Sequence, residues 1–165
     1  MLPLLLVTDN NIWSDLDNGK VLKSIFDLPF KYVISDFVGE EMPAALIALL
    51  RSHGVEILVL NPEQVAEIYM LNQKHRSVSI ADMSALILAR DLPAILLSGD
   101  KLLRSLAETN AIEVHGVLWL LDEFVKNQII APVQAALALE KMLAKNARLP
   151  IDECKKRLRK WRGYP

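Results

Sequence analysis

The run from Pro93 to Arg104, Pro-Ala-Ile-Leu-Leu-Ser-Gly-Asp-Lys-Leu-Leu-Arg, constrains the fold of this chain more than any other. A short apolar stretch bounded by Pro93 and Gly99 fits a strand buried on both faces. The residues after it return to helical spacing, with Leu102, Leu103 and Leu106 expected inward. Asp100 therefore falls on a strand-to-helix turn, where it either simply caps the helix or serves chemistry. In open α/β sheets ligands bind beyond the carboxyl ends of strands, so an acid on such a turn is placed for chemistry. A second strand, Leu4 to Thr8, ends the same way in Asp9.

The segments between follow an alternating pattern. Ile12 to Phe26 reads as one interrupted helix or two short ones, with a break at Asn18 and Gly19, and Lys31 to Ser35 as a second strand. Asp36 to Met42 starts a helix; Pro43, a residue favoured in a first helical turn, makes Ala44 to Ser52 a separate one. Val55 to Leu60 reads as a third strand, Asn61-Pro62-Glu63 as a helix start, and Asn72 to Ser79 as a loop. Ser79 caps a helix through Met83, Leu86, Ile87 and Leu88, and strand four follows. After a helix at 101–109, Ile112 to Val114 is a fifth strand, and Gly116 opens a helix from Leu118 to Asn127. Pro132 starts another helix to about Lys145, and Pro150 precedes a last, basic one.

Five strands alternating with helices predict a three-layer α/β/α sandwich around a parallel sheet. With strand order 3-2-1-4-5, Asp9 and Asp100 face each other across the switch-point crevice. Asp82, in the first turn of the helix before strand four, and Glu41, after strand two, can approach the same place. Four carboxylates about 5 Å apart would repel by roughly 3 kcal/mol per pair at an effective dielectric near 20. A divalent cation relieves that repulsion, and magnesium or manganese on oxygen ligands can activate water against a phosphodiester. No serine has a histidine and an acid arranged around it in the sequence.

The length of 165 residues and 52% hydrophobic content suit a single domain over 1–165, with additional helices from about residue 130. The net charge of -1 gives no overall pull toward nucleic acid, so a polyanion must be met by a local basic patch or through metal. The lone cysteine, Cys154, allows no internal disulfide and suits a reducing compartment. The apolar start has no basic leader and runs directly into Asp9, and Arg90 and Asp91 break the longest apolar run. The expectation is a cytoplasmic protein without a membrane partner.

The sequence resembles the PIN-domain ribonucleases, particularly prokaryotic toxin-like members of the VapC kind. The resemblance rests on Thr8-Asp9-Asn10-Asn11, on Ile34 to Met42, on Ser79 to Ala89, on Leu96 to Arg104 and on Val114 to Asp122. It implies an endoribonuclease dependent on Mg2+ or Mn2+, with Asp9, Glu41, Asp82 and Asp100 as metal-binding acids and metal-activated water as nucleophile. It also implies orienting roles for Asn11 and Ser98, an RNA substrate, a cognate antitoxin protein, and a homodimer. Glu40 and Glu41 are adjacent; Glu41 is preferred because it follows Val38 by three residues, on one helix face.

Lys101 and Arg104 follow the last acid and either meet phosphate or form a solvated face. The run Lys155, Lys156, Arg157, Arg159, Lys160 and Arg162, beside Trp161 and Tyr164, either grips RNA or is a tail that docks on the domain or a partner. His53, His75 and His115 have no ligand-like spacing, and Trp13 and Trp119 suit packing. The competing reading is a PIN-fold module that binds RNA or protein with little turnover. A phosphatase with Asp9 as covalent nucleophile fits poorly, because the haloacid-dehalogenase pattern wants a second Asp at position 11, which is Asn.

Overall fold

The computed structural model describes residues 3–163, and within them the chain separates into two compact units. The first comprises Met1–Asn10 and Pro29–His115, the second Asn11–Leu28 and Gly116–Pro165. Tyr164 lies outside the described residues.

The first unit holds a five-stranded parallel sheet formed by β1 (Leu4–Thr8), β2 (Phe30–Ser35), β3 (Glu56–Leu58), β4 (Ile95–Leu97) and β5 (Val114–His115). The order is β3-β2-β1-β4-β5, the expected one, and flanking helices make this an α/β/α fold. Val7 pairs with Val33 on one side and with Leu96 on the other, so β1 is central and its residues Leu6, Val7 and Thr8 are completely buried. That double burial is why β1 and β4 read as continuous apolar runs without alternation. The chain reverses its direction of sheet growth between β1 and β4, which opens the crevice at their carboxyl ends.

Helices α2 (Asp36–Glu40), α3 (Ala44–Ser52), α4 (Pro62–Lys74), α5 (Ile80–Asp91) and α6 (Lys101–Thr109) belong to this unit. The α5 helix is buried nearly all round, from Met83 through Ala89, and is therefore a core helix with no clear polar stripe. Pro43 stands at the cap of α3, one position before its expected place in the first turn.

Several boundaries differ from the expectation. The third strand is only Glu56–Leu58, because it is an edge paired to β2 alone; Val59 beyond it is 80% exposed. Helix α4 continues through Lys74 into the polar stretch expected as loop, and the Asn72 side chain donates to the Val78 carbonyl at 2.8 Å, tying the helix end to the turn. The fifth strand is shifted to Val114–His115, with Leu96 N–H bonded to the Glu113 carbonyl and Ser98 N–H to that of His115. Leu102, expected inward, is 50% exposed; Leu103 and Ala107, four apart, form the buried face of α6.

The second unit contains α1 (Asn10–Asn18, from Asn11 onward), a 3-10 turn at Leu22–Asp27, α7 (Val117–Lys126), α8 (Pro132–Ala144) and α9 (Ile151–Trp161). Trp13 is wholly buried and stacks on Phe26 with ring centroids 6.2 Å apart, a packing role as expected. A Cβ on Gly19 would lie 3.1 Å from the Ala138 carbonyl oxygen, so the end of α1 meets α8 too closely for any larger residue. The basic C-terminal run is not a loose tail. It is the helix α9, which buries Cys154 and Trp161 and is anchored by Arg157, whose guanidinium donates to both Asp122 oxygens and to Glu153. Among the described residues no helix is long and apolar enough to cross a membrane.

Candidate functional site

Thr8, Asp9, Ser35, Ser84 and Ser98 are the wholly buried polar residues among those described. Thr8 with Asp9, Ser35 and Ser98 stand at the carboxyl ends of β1, β2 and β4, and Ser84 on α5 bonds to one of them. Burying polar groups costs free energy unless they are hydrogen-bonded. Their concentration at one edge of the sheet marks the place where the fold departs from an apolar core.

Two hydroxyl relays organise this edge. Ser98 Oγ donates to Asp9 Oδ2 at 2.6 Å and accepts the Asp100 N–H at 3.1 Å, while Asp9 N–H bonds the Leu97 carbonyl at 3.0 Å. One hydroxyl thus fixes the buried Asp9 carboxylate and the turn that carries Asp100. The second relay runs from β2 to α5. Ser84 Oγ donates to the Ala81 carbonyl at 2.5 Å and lies 2.6 Å from Ser35 Oγ, which accepts the Val38 N–H at the start of α2. This chain ties the helix bearing Asp82 to the strand and helix that lead to Glu41.

Asp100 is both cap and crevice residue. Its Oδ1 accepts the Leu103 N–H at 2.8 Å, which satisfies an orphan amide of α6 and leaves its other oxygen uncommitted by the cap. Asp82 is half-buried in the first turn of α5, which Ser79 caps by accepting the Asp82 N–H at 3.0 Å. Burial pushes the Asp82 carboxyl above its ordinary value, the Asp100 charge pushes it further, and Glu41 adds to this against a hydrogen bond from Ser79. The fold therefore brings Asp100 and Glu41 within electrostatic reach of Asp82. Glu41 rather than Glu40 acts on Asp82: both are exposed, and Glu41, the cap at the end of α2, keeps helical backbone geometry.

Asn11 is exposed in α1, two residues after Asp9. Lys101 is exposed and Arg104 half-buried on α6. His53 and His75 are exposed, and His115 is half-buried with its Nε2 3.1 Å from Glu113.

Sequence reasoning missed Ser35, Ser84 and Asp36. Asp36 directly follows β2 as Asp9 follows β1, and that parallel was the available signal. Its Oδ1 is buried without a hydrogen-bond partner among the described residues. A buried carboxylate oxygen in that condition is suited in kind to a hard divalent cation. The donor chemistry thus fits magnesium or manganese, whereas the side-chain positions do not yet converge: among the described residues no three His, Cys, Asp or Glu side chains are grouped so as to hold an ion.

Ser98→Ala removes the hydroxyl between Asp9 and the Asp100 amide. We expect a loss of about 1–3 kcal/mol in stability, measured by urea unfolding, because a buried carboxylate oxygen loses a donor. An unchanged midpoint would mean that the relay does not hold this edge together.

A doubly wound α/β sheet with buried polar residues at the carboxyl ends of its central strands defines the class. Residues 5–163 match the family described as DUF3368, a PIN domain. The chain belongs to the PIN-domain family, whose members are generally nucleases. A PilT N-terminus domain protein from the hyperthermophilic archaeon Sulfolobus solfataricus is similar in structure, with 14% identity and a TM-score of 0.49 over 69% of this chain and 87% of that one. No curated protein matches the chain.

Proposed function

We propose that the protein is a metal-dependent endoribonuclease in which Asp9, Glu41, Asp82 and Asp100 hold magnesium or manganese. The observation that carries this reading is the half-buried Asp82 in the first turn of α5 with Asp100 and Glu41 in reach of its charge: burial first, then those two charges, oppose its ionisation, and a cation would relieve that opposition. A bound divalent ion would polarise the phosphodiester and supply water activated for attack on phosphorus. The chain's own residues prepare that chemistry. Ser98 aims the Asp9 carboxylate, the capping bond fixes Asp100 through one oxygen, and the Ser35–Ser84 relay positions the helix that carries Asp82. Lys101 and Arg104 on α6 are the cations nearest in sequence to this edge, suited to contact RNA phosphate.

A toxin of a toxin–antitoxin pair is the role we assign to this activity. Val133 and Leu137 are both at least half exposed one turn apart on α8, and a protein partner, antitoxin or second subunit, would cover them. The second reading, a PIN-fold module that binds without turnover, is favoured by the absence of a converged three-acid group among the described residues.

Cleavage of a mixed-structure RNA by the purified protein, with manganese, with magnesium and with chelator, separates the two. Cutting that requires either metal and stops with chelator is the expected result. Folded protein that neither cuts nor takes up metal in calorimetry would leave the binding module standing.

A further inference from the structure

We propose that the outer face of α9 is a binding ridge for the phosphate backbone of single-stranded RNA, built from Lys155, Lys156, Arg159 and Lys160. This rests on the RNA-nuclease reading above and adds a second contact surface to it.

Charge is segregated sharply along this chain. The segment 155–162 carries six of its 19 Lys and Arg and none of its 20 Asp and Glu, so the remaining sequence is clearly acidic. A polyanion approaching the protein meets repulsion elsewhere and attraction here. The segment is also rigid. Cys154 and Trp161 are buried one face down, and Arg157 is held by Asp122 and Glu153. Arg157 is therefore structural, and the four ridge cations are all exposed on the opposite side.

Ion pairing leaves most of this charge available. Lys156 lies 3.3 Å from Glu153 with its side chain 74% exposed, and Arg162 pairs with Glu140, whereas Lys155, Arg159 and Lys160 have no ion-pair partner among the described residues. Lys155 to Arg159 and Lys156 to Lys160 each span about 6 Å of helix, a step that an extended sugar-phosphate chain can follow. An exposed linear array of this kind suits an elongated polyanion; a small phosphate ligand would want a concave, buried site. The neighbouring groove of about 500 Å³ between α7 and α9 is not such a site, since Lys126, Lys156 and Lys160 on its walls face Asp122, Glu123 and Glu153.

The test measures binding of a 30-nucleotide unstructured RNA to the full chain by fluorescence anisotropy, in chelator, across a salt series. Wild type is compared with the combined variant Lys155→Gln, Lys156→Gln, Arg159→Gln and Lys160→Gln. A control variant carries Lys23→Gln, Lys31→Gln, Lys74→Gln and Arg76→Gln, with all proteins checked for equal thermal midpoints. The ridge variant is expected to bind about tenfold or more weakly, with the log–log salt slope flattened by about 3, at roughly 0.7 per lost phosphate contact. The control should change the slope by less than about 1. Equal losses in both variants would mean a net-charge effect and would overturn the ridge, as would unchanged binding in the ridge variant. Poly-glutamate binding as tightly as RNA would assign the face to an acidic protein instead. Metal-dependent cleavage is scored separately: unchanged RNA binding in the ridge variant with metal-dependent cutting present overturns only this inference, and RNA bound on the ridge without any cutting overturns only the nuclease reading.

Discussion

Replacing Asp9 by Asn is expected to lower metal-dependent RNA cleavage by about a thousandfold or more, roughly 4 kcal/mol of barrier, while leaving the fold intact. The variant is nearly isosteric, and its amide oxygen can still accept from the Ser98 hydroxyl, which lies 2.6 Å from the carboxylate in the native chain. The Asp9 N–H to Leu97 bond between β1 and β4 does not involve the side chain at all. What disappears is one negative charge at the centre of the switch point. Asp100→Asn should behave alike, since its amide oxygen can keep the cap to Leu103. Single-turnover cleavage of a labelled RNA, with circular dichroism as the folding control, decides the matter. Activity within tenfold of wild type in either variant would remove these residues from the proposed centre.

The second large effect concerns stability. Manganese at about a hundred times its dissociation constant should add about 2.7 kcal/mol to the folded state. For a chain of this size that corresponds to a rise of about 5–10 °C in the thermal midpoint, and Asp9→Asn and Asp100→Asn should lose it. Asp82→Asn should do the opposite of what a lost ion pair does. Burial, then Asp100 and Glu41, hold the Asp82 carboxyl above its ordinary value, so the folded state binds this proton more tightly than the unfolded chain. Without metal, this group favours folding at pH below the unfolded carboxylate value. That benefit fades as pH rises from there through the raised folded value, and above it the charge is a constant cost. At pH 7 the metal-free Asp82→Asn protein should therefore melt above wild type, and its decline between acidic and neutral pH should be shallower. A lower midpoint at pH 7 would show that Asp82 is already compensated in the native protein.

Much of this architecture was legible because β1 and β4 must be buried on both faces, and only apolar runs satisfy that. Alternation and the right-handed crossover pointed to a parallel sheet, while the strand order had to be assumed, and for Asp100 cap and crevice residue were rival readings that the structure unites in one side chain. The misreadings have a common physical source. Leu102 is apolar and next to the buried Leu103, yet about 100° of helical rotation separates neighbours, and hydrophobicity does not say which of two adjacent leucines faces inward. The same rotation leaves Glu40 and Glu41 undistinguished in the sequence; of the two, it is the Glu41 charge that bears on the Asp82 carboxyl. Ser35 and Ser84 were invisible because a hydroxyl inside an apolar run looks like noise until its partner, 49 residues away, is known. Asp36 could have been found, since it stands after β2 as Asp9 stands after β1. Side-chain convergence on a metal is beyond sequence altogether, because it depends on rotamers.

The Ser98 hydroxyl that reaches Asp9 spans 89 residues of chain, and this gives the protein a built-in delay during its own synthesis. Asp9 emerges from the ribosome early, but the strand that flanks it and the hydroxyl that aims it come about 4–18 s later at ordinary translation rates of roughly 5–20 residues per second. Until then the partially made chain lacks β4 and the turn that carries Asp100, although Glu41 and Asp82 have already been made. For the nuclease proposed above, chain topology alone would thus hold back the last acid and the hydroxyl that aims the first until late in synthesis.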